Sequence, residues 1–443
     1  MGMSASTSSH GPGRTMPDAW TCPFCTLLCD DVGITLDPAP SLTGSNCPRA
    51  RAALANFASD VHAATPLIDG QPVSEAEAVA EAAARLSAAQ LPLFGGLATD
   101  VAGMRALYTL ANRRGAIFDH AHGAAMLPSL RSLQDRGGFS STLAEVRNRA
   151  DVILCIDTQP SFKHPEFFRR CGLGETGQAD KPATRSVVFL GGPADATASN
   201  HAGVTVSEVP FQNDLFHSLA VLNTLCRAKP PAHIEFASPA LRALAEQLLA
   251  ARYVALVFTP SNLAAKDHEH AALLVEHIHH LTKALNRTTR AGALSLGGDD
   301  GGNTANYVMT WLSGLPLRTA VQPTGLEHDP HRYDTSWLLA NHAVDAVLWV
   351  ASLGPDLPPP DTRLPLVVLG HPALEAHMRA QTSVFLPVST PGIGSAGHMF
   401  RTDGGVVLPL TPVRPDSLPT VATLANRIQQ ALDVPTAHAE GAA

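Results

Sequence analysis

Four cysteines crowd into residues 22–47 of the 443-residue sequence. Cys22, Cys25, Cys29 and Cys47 follow the spacing C-x2-C-x3-C-x17-C. A C-x2-C pair sets two thiolates on a tight turn, and the following loop supplies the other two. Four thiolates converge on a [4Fe–4S] cluster or on tetrahedral zinc. The x3 step and the distant fourth cysteine depart from the paired C-x2-C knuckles of zinc ribbons, which tilts the reading toward iron–sulfur. The plain alternatives are an empty degenerate site, or four small buried hydrophobes near the chain start. Cys155, Cys171 and Cys226 stand alone, and Cys155 lies in an apolar run as a core residue.

Other constellations are weaker. His268-Glu269-His270, His277, His279 and His280 fall on one expected helix. Residues two apart point to different helix faces, and only His277 and His280 can share one. No HExxH pattern occurs, so a solvated or interface face is the better reading. The run Gly297-Gly298-Asp299-Asp300-Gly301-Gly302-Asn303 offers backbone N–H groups to an anion. It has no P-loop lysine and no clear helix signature after it. No Ser-His-Asp or Cys-His set can be assigned.

The elements that must position these residues alternate between two periods. Ser74 followed by Glu77 is a capping-box signature for an Ala-rich helix running to about Gln90. Apolar runs at Leu91–Leu97, Ala116–Phe118, Val152–Ile156, Val187–Leu190, Val254–Phe258, Ala293–Leu296, Ala346–Ala351, Leu366–Leu369 and Val384–Pro387 read as strands. Helical stretches near 100–113, 212–227, 238–251 and 262–286 separate several of them. This β-then-α order predicts an α/β protein with parallel sheets covered by helices. The strands outnumber one doubly wound sheet, so the expected divisions are a tail over 1–19, a cysteine segment over 20–64, α/β lobes over 65–205, 206–340 and 341–434, and a tail over 435–443.

Composition narrows the class. Charged residues make up 16% of the sequence, against roughly 25% for ordinary globular domains. So little charge favours a surface covered by partner chains. A net charge of −8 without a Lys/Arg-rich run argues against nucleic-acid binding. No stretch reaches the roughly 18 consecutive apolar residues of a membrane span. The first 19 residues lack an apolar core of the signal-peptide type, so the expected compartment is the cytoplasm, where clustered cysteines hold metal more often than disulfides.

The residues around the cysteines also carry a family likeness. Thr21-Cys22-Pro23-Phe24-Cys25 through Leu28-Cys29-Asp30-Asp31, with Cys47 beyond, resembles the amino-terminal cluster segment of formylmethanofuran dehydrogenase B subunits, within the molybdopterin-oxidoreductase superfamily. Leu133-Gln134-Asp135, Thr142 to Ile153, Gly302-Asn303 with Thr310 to Pro316, and Gly397 with Arg401 to Gly405 are similar to later segments of that family. Their order spans residues from about 20 to 430. The resemblance implies a multi-lobed molybdopterin-oxidoreductase-like fold with a small amino-terminal cysteine segment, and a possible [4Fe–4S] cluster on Cys22, Cys25, Cys29 and Cys47.

The resemblance also implies a loss. In the dehydrogenases a Cys or selenocysteine followed by His-Gly-Pro ligates tungsten or molybdenum and supplies the acid/base group. Aligned without a gap, the metal-ligand position falls on Ala125 and the histidine on Met126, with Leu127 at the glycine and Pro128 and Ser129 matching. A methyl group cannot replace a thiolate. His120 and His122 lie nearby and read as loop or outer histidines. Where the family shows Asp-Pro-Arg-x-Thr to hold the nucleotide half of the pterin, this chain has Gly192-Pro193-Ala194-Asp195-Ala196-Thr197, and a later basic position becomes Pro372 or Ala373. Losing arginine removes a permanently charged bidentate partner for phosphate. The expectation is therefore no tungsto- or molybdopterin and no catalytic residue of its own. The implied role is a structural B subunit of a methylotroph formyltransferase/hydrolase complex in tetrahydromethanopterin-linked oxidation of formaldehyde to formate. Its partners would be the A (hydrolase), C and D (formyltransferase) subunits, with a methanofuran-like carrier. The alternative is a redox-active tungsten or molybdenum dehydrogenase subunit.

Overall fold

The computed structural model describes residues 19–36, 39–57, 64–175, 182, 184–227, 236–266 and 269–433. All but Ala19 of the expected amino-terminal tail, the whole carboxyl-terminal tail, and His268 lie outside the described residues.

Two sheets organise the chain. The larger has nine strands, in the spatial order Gly325–His328, Thr319–Gln322, Ala116–Phe118, Pro92–Ala98, Ala346–Ala351, Leu366–Gly370, Val384–Pro387, Leu67–Ile68 and Gln71–Pro72. Its five central strands are parallel and the two outermost on each edge run antiparallel. The smaller sheet has five parallel strands: Arg290–Ser295, Tyr253–Phe258, Val152–Ile156, Arg185–Leu190 and Val204–Val209. Every residue of Val152–Ile156, Tyr253–Phe258 and Ala346–Ala351 is buried, as it must be when helices or segments cover both faces of a parallel sheet.

Sheet membership corrects the expected lobes. Residue 205 lies inside strand Val204–Val209, Thr319–Gln322 pairs with Ala116–Phe118 across the boundary expected at 205, and Ala346–Ala351 pairs with Pro92–Ala98 across the one expected at 340. The larger sheet draws its strands from residues 67–118 and 319–387, and the smaller from 152–295. Period-2 and apolar-run patterns mark where strands are, but a crossover connection leaves their partners open.

Local signals place the helices. The Ser74–Glu77 capping box is formed in both directions and opens helix Glu75–Ala88, which buries Ala78, Val79, Ala82, Ala83 and Leu86 on one face. The stretch expected as one helix over 262–286 is two, Pro260–Lys266 and Ala271–Leu285. The glycine run, expected to lack a following helix, leads directly into helix Gly302–Ser313, with Gly301 at φ +80° just before it. Helix Gly123–Arg136 carries Pro128 in its interior and was not marked by periodicity.

Residues 20–57 form the cysteine segment: a two-stranded hairpin, Gly33–Thr35 with Ser41–Thr43, followed by helix Pro48–Ala55. The Trp20 indole is buried and donates to the Gly392 carbonyl at 2.9 Å. Leu27, Leu54 and the cysteines share a core with Ile153, Cys155, Val187 and Phe189, so the segment covers one face of the five-stranded sheet. Helices Leu215–Leu225, Pro239–Ala250 and Ala271–Leu285 cover the other. Among the described residues no helix is long and apolar enough to cross a membrane.

Candidate functional site

A cavity of about 670 Å³ opens where the two sheets meet. Its walls are the loop after strand Ala116–Phe118 with helix Gly123–Arg136, the residues following strands Tyr253–Phe258 and Arg290–Ser295, and helix Gly302–Ser313. Carboxyl ends of parallel strands form such crevices in open α/β sheets. The separate sequence motifs converge here: Gln134, Asn303, Thr310, Pro316 and Thr402 all line the chamber. Asp403, held by Arg401 at 2.7 Å, accepts from the Leu143 N–H at 3.0 Å and so ties the last motif to the central one.

Ala125 and Met126 both line this chamber. They sit in the first turn of helix Gly123–Arg136, where the Ala125 N–H donates to the His122 carbonyl at 3.0 Å. The methyl and the thioether offer no hard donor and no exchangeable proton. The turn is rigidly held from below. Asp119 is buried, and its Oδ2 accepts from the Thr335 N–H and hydroxyl, both at 2.8 Å, while Oδ1 faces Arg318 Nε at 3.3 Å. Burial outweighs these partners and pushes the Asp119 carboxyl up to about 6. Gly123 is required at its place, because a Cβ there would stand 2.1 Å from Asp119 Oδ1.

The histidines near Ala125 have distinct places. His122 lines the chamber and bonds through Nε2 to Asp300 Oδ2 at 2.9 Å. His120 is buried; its Nδ1 accepts from the His122 N–H and its Nε2 contacts the Asp300 carbonyl at 3.0 Å. Burial pushes His120 down to about 4, which keeps the ring neutral. Asp300 itself holds a left-handed backbone at φ +52°.

Sequence reasoning missed the charged link between this chamber and the cysteines. Arg49, next but one after Cys47, lies 3.3 Å from Asp299 and 3.7 Å from Asp300 and borders both the chamber and the cysteine cavity. His164 approaches Thr26 Oγ1 at 3.3 Å and Asp299 Oδ1 at 3.5 Å. Burial acts to raise the Asp299 carboxyl, but the His164 hydrogen bond and the nearby cations hold it well below the usual carboxylate range. The consecutive aspartates inside a glycine run were the available signal.

All four cluster cysteines are buried, unpaired and line one small cavity with Phe24, Val32, Leu42 and Ala50. Burial raises the thiols of Cys22 and Cys25 well above the ordinary value and pushes Cys29 up to about 12. Thiolates there need a bound cation to form. Among the described residues no three His, Cys, Asp or Glu side chains are grouped to hold a metal ion. Four thiols around one cavity match the ligand count of either a [4Fe–4S] cluster or tetrahedral zinc.

The remaining expected positions are scattered. Gly192 and Pro193 line a second crevice, whereas the Asp195 carboxylate is spent on the Ser161 N–H and hydroxyl and on Thr197. Pro372 and Ala373 open a 3-10 turn capped by His371. His277 and His280 do share a helix face, with ring centroids 6.1 Å apart, and His277 packs against Phe216 at 4.5 Å with the rings tilted by 53°. His279 instead turns inward, edge-on to Phe258.

No family model matches the chain. It is 28% identical over 370 residues to the B subunit of the formyltransferase/hydrolase complex of Methylorubrum extorquens, covering 81% of this chain and 96% of that protein. It is 24% identical over 415 residues to the B subunit of tungsten-containing formylmethanofuran dehydrogenase 2 of Methanocaldococcus jannaschii, covering 86% and 90%. Among solved structures it matches a chain of the Methylorubrum extorquens formyltransferase/hydrolase complex crystallised with methylofuran, with a TM-score of 0.69, 28% identity, and coverage of 82% of this chain and 97% of that one. Acetylene hydratase from Pelobacter acetylenicus shares the fold, with a TM-score of 0.59 at 11% identity over 93% of this chain and 69% of that one. The chain is thus a relative of the B subunits of formyltransferase/hydrolase complex and formylmethanofuran dehydrogenase, and its parallel-sheet α/β architecture is the one the motifs implied.

Proposed function

We propose that this relative of formylmethanofuran dehydrogenase B subunits is the B subunit of a formyltransferase/hydrolase complex, acting in the cytoplasm in tetrahydromethanopterin-linked one-carbon metabolism without redox catalysis of its own. The observation that carries this reading is the chamber wall, where Ala125 and Met126 stand at the positions aligned with the metal ligand and its neighbouring histidine. The Ala125 methyl has no lone pair to offer a tungsten or molybdenum centre, and the Met126 thioether has no proton to pass to it. The chain's own contribution is a frame: the buried Asp119–Arg318 pair fixes the loop leading into the helix that carries Ala125, and Arg401–Asp403 locks the last motif onto the central one. The partners in this reading are A, C and D subunits that hydrolyse and transfer the formyl group, with a methanofuran-like carrier.

Cys22, Cys25, Cys29 and Cys47 would hold a [4Fe–4S] cluster, which supplies one-electron transfer when bound. In a subunit without a metal-pterin centre the four residues act chiefly to cross-link the amino-terminal segment, with Arg49 offsetting negative charge between the cysteine cavity and Asp299.

Elemental analysis of the purified complex for Fe, Zn, Mo and W tests the reading, together with carrier turnover in the absence of an electron acceptor. The expected result is formyl hydrolysis or transfer with neither tungsten nor molybdenum. Stoichiometric tungsten or molybdenum with a bound pterin overturns it. A redox-active subunit is the second reading, favoured only by His122, which reaches the same chamber and could offer an imidazole to a metal.

A further inference from the structure

Helix Ala271–Leu285 presents an outer face that the proposed function does not use. At about 3.6 residues per turn, Leu273, Glu276, His277 and His280 fall within roughly 100° of arc. The residues the helix buries, among them Leu274, Val275, Ile278, Leu281 and Leu285, occupy the opposite side. The helix covers the side of the five-stranded sheet away from the cysteine segment. Its outer face therefore belongs to neither the chamber nor the cysteine cavity.

Two imidazoles meet on that face, with ring centroids 6.1 Å apart. A single tetrahedral ion with metal–nitrogen bonds of about 2.0–2.1 Å holds two imidazole centroids about 5 Å apart, so side-chain rotations that close about 1 Å bring both rings onto it. Phe216 backs the His277 ring at 4.5 Å, and the His277 carbonyl accepts from Asn223 Nδ2 at 3.0 Å, so helix Leu215–Leu225 steadies this turn. Burial and the neighbouring His280 hold His277 below the ordinary histidine value, which keeps its ring neutral and able to ligate. His280 is half exposed, and its Nε2 lies 3.7 Å from Glu276 Oε1. Glu276 is in turn held by Arg136 Nε at 3.1 Å. A carboxylate set against one ring nitrogen turns the other toward a metal, as outer carboxylates do for ligating histidines. The exposed side chains of Leu273 and Phe216 border the pair. Among the described residues no group of three ligating side chains forms here, which leaves the other coordination positions to water.

We propose that His277 and His280 chelate one zinc ion on the outer face of helix Ala271–Leu285, with Glu276 as the positioning residue for His280. Imidazole suits zinc and its transition-metal neighbours, whereas magnesium and calcium take oxygen ligands. The site is separate from Cys22, Cys25, Cys29 and Cys47, so zinc found in the purified complex does not by itself fill the cysteine cavity. It does not depend on the subunit's place in a complex.

Elemental analysis of the full chain, stripped with a chelator and then dialysed against micromolar zinc, tests it. Wild type should retain one equivalent of zinc more than His277→Gln or His280→Gln, whatever the cysteines hold. In calorimetric titration with zinc, Glu276→Gln should weaken binding at this site about tenfold. Should His277→Gln not fold, the half-exposed His280 variant still decides the matter. The proposal is overturned if wild type and both histidine variants retain the same zinc, or if the chain takes up no zinc at all.

Discussion

Asp119 gives the chain a built-in dependence on pH that can be separated from every other group. The carboxyl lies 2% exposed beside the start of helix Gly123–Arg136, which carries Ala125, and burial lifts it to about 6 in the folded state. In the unfolded chain it titrates near 3.9. A carboxyl whose folded value is raised holds its proton more tightly when folded, so its contribution is most favourable below about pH 4. That contribution is lost as pH rises from about 4 to about 6 and stays lost above. A rise of that size corresponds to about 3 kcal/mol. Asp119→Asn keeps the Thr335 contacts within reach but cannot ionise. The difference in unfolding free energy between wild type and variant should therefore move by up to about 3 kcal/mol in the variant's favour between pH 4 and pH 7. Urea unfolding followed by tryptophan fluorescence reads it, since Trp337 sits on the helix that begins at Thr335, which caps Asp119. Parallel pH profiles for the two proteins would refute the reasoning, because they would mean the carboxyl is as well solvated folded as unfolded.

Two further outcomes follow from packing. Gly123→Ala places a methyl 2.1 Å from Asp119 Oδ1, where backbone and buried carboxylate must both yield, and should cost at least about 2 kcal/mol in the same unfolding assay. Trp20→Ala removes a buried indole, its bond to the Gly392 carbonyl and its edge contact with Phe24, a loss of about 4 kcal/mol; limited proteolysis should then cut within residues 20–57 before the sheets unfold.

Much of the frame could be read from residue patterns. The strands Ala116–Phe118, Val152–Ile156, Ala346–Ala351 and Val384–Pro387 begin and end where their apolar runs do, since a fully buried parallel strand has no polar residue to blur its limits. The Ser74 capping box was legible because both of its bonds are local. Sheet partners were not, because Trp349 meets Gly95 through a pairing that no local signal encodes. Helix Gly123–Arg136 escaped notice for a different reason: Gly123 and Pro128 are poor helix formers, and tertiary contacts with Asp119 and helix Ala271–Leu285 hold it. At the site, the positions of Ala125 and Met126 followed from alignment with a family, and both line the chamber. The Arg49–Asp299 link joins residues 250 apart and could only be seen in three dimensions.

The interleaving of the two sheets sets an order on synthesis. Residues 152–295 form a contiguous segment that can close its own five-stranded sheet as soon as it leaves the ribosome. The strand Pro92–Ala98 has one early neighbour, Ala116–Phe118, but its other edge belongs to Ala346–Ala351. That partner emerges roughly 250 residues later, a wait of roughly 10–50 s at ordinary elongation rates. For that interval a wholly apolar strand offers an open edge to any passing chain. The nascent protein should accordingly be a client of chaperones until its last third is made, and carboxyl-terminal truncations before residue 346 should aggregate even though the inner sheet is complete.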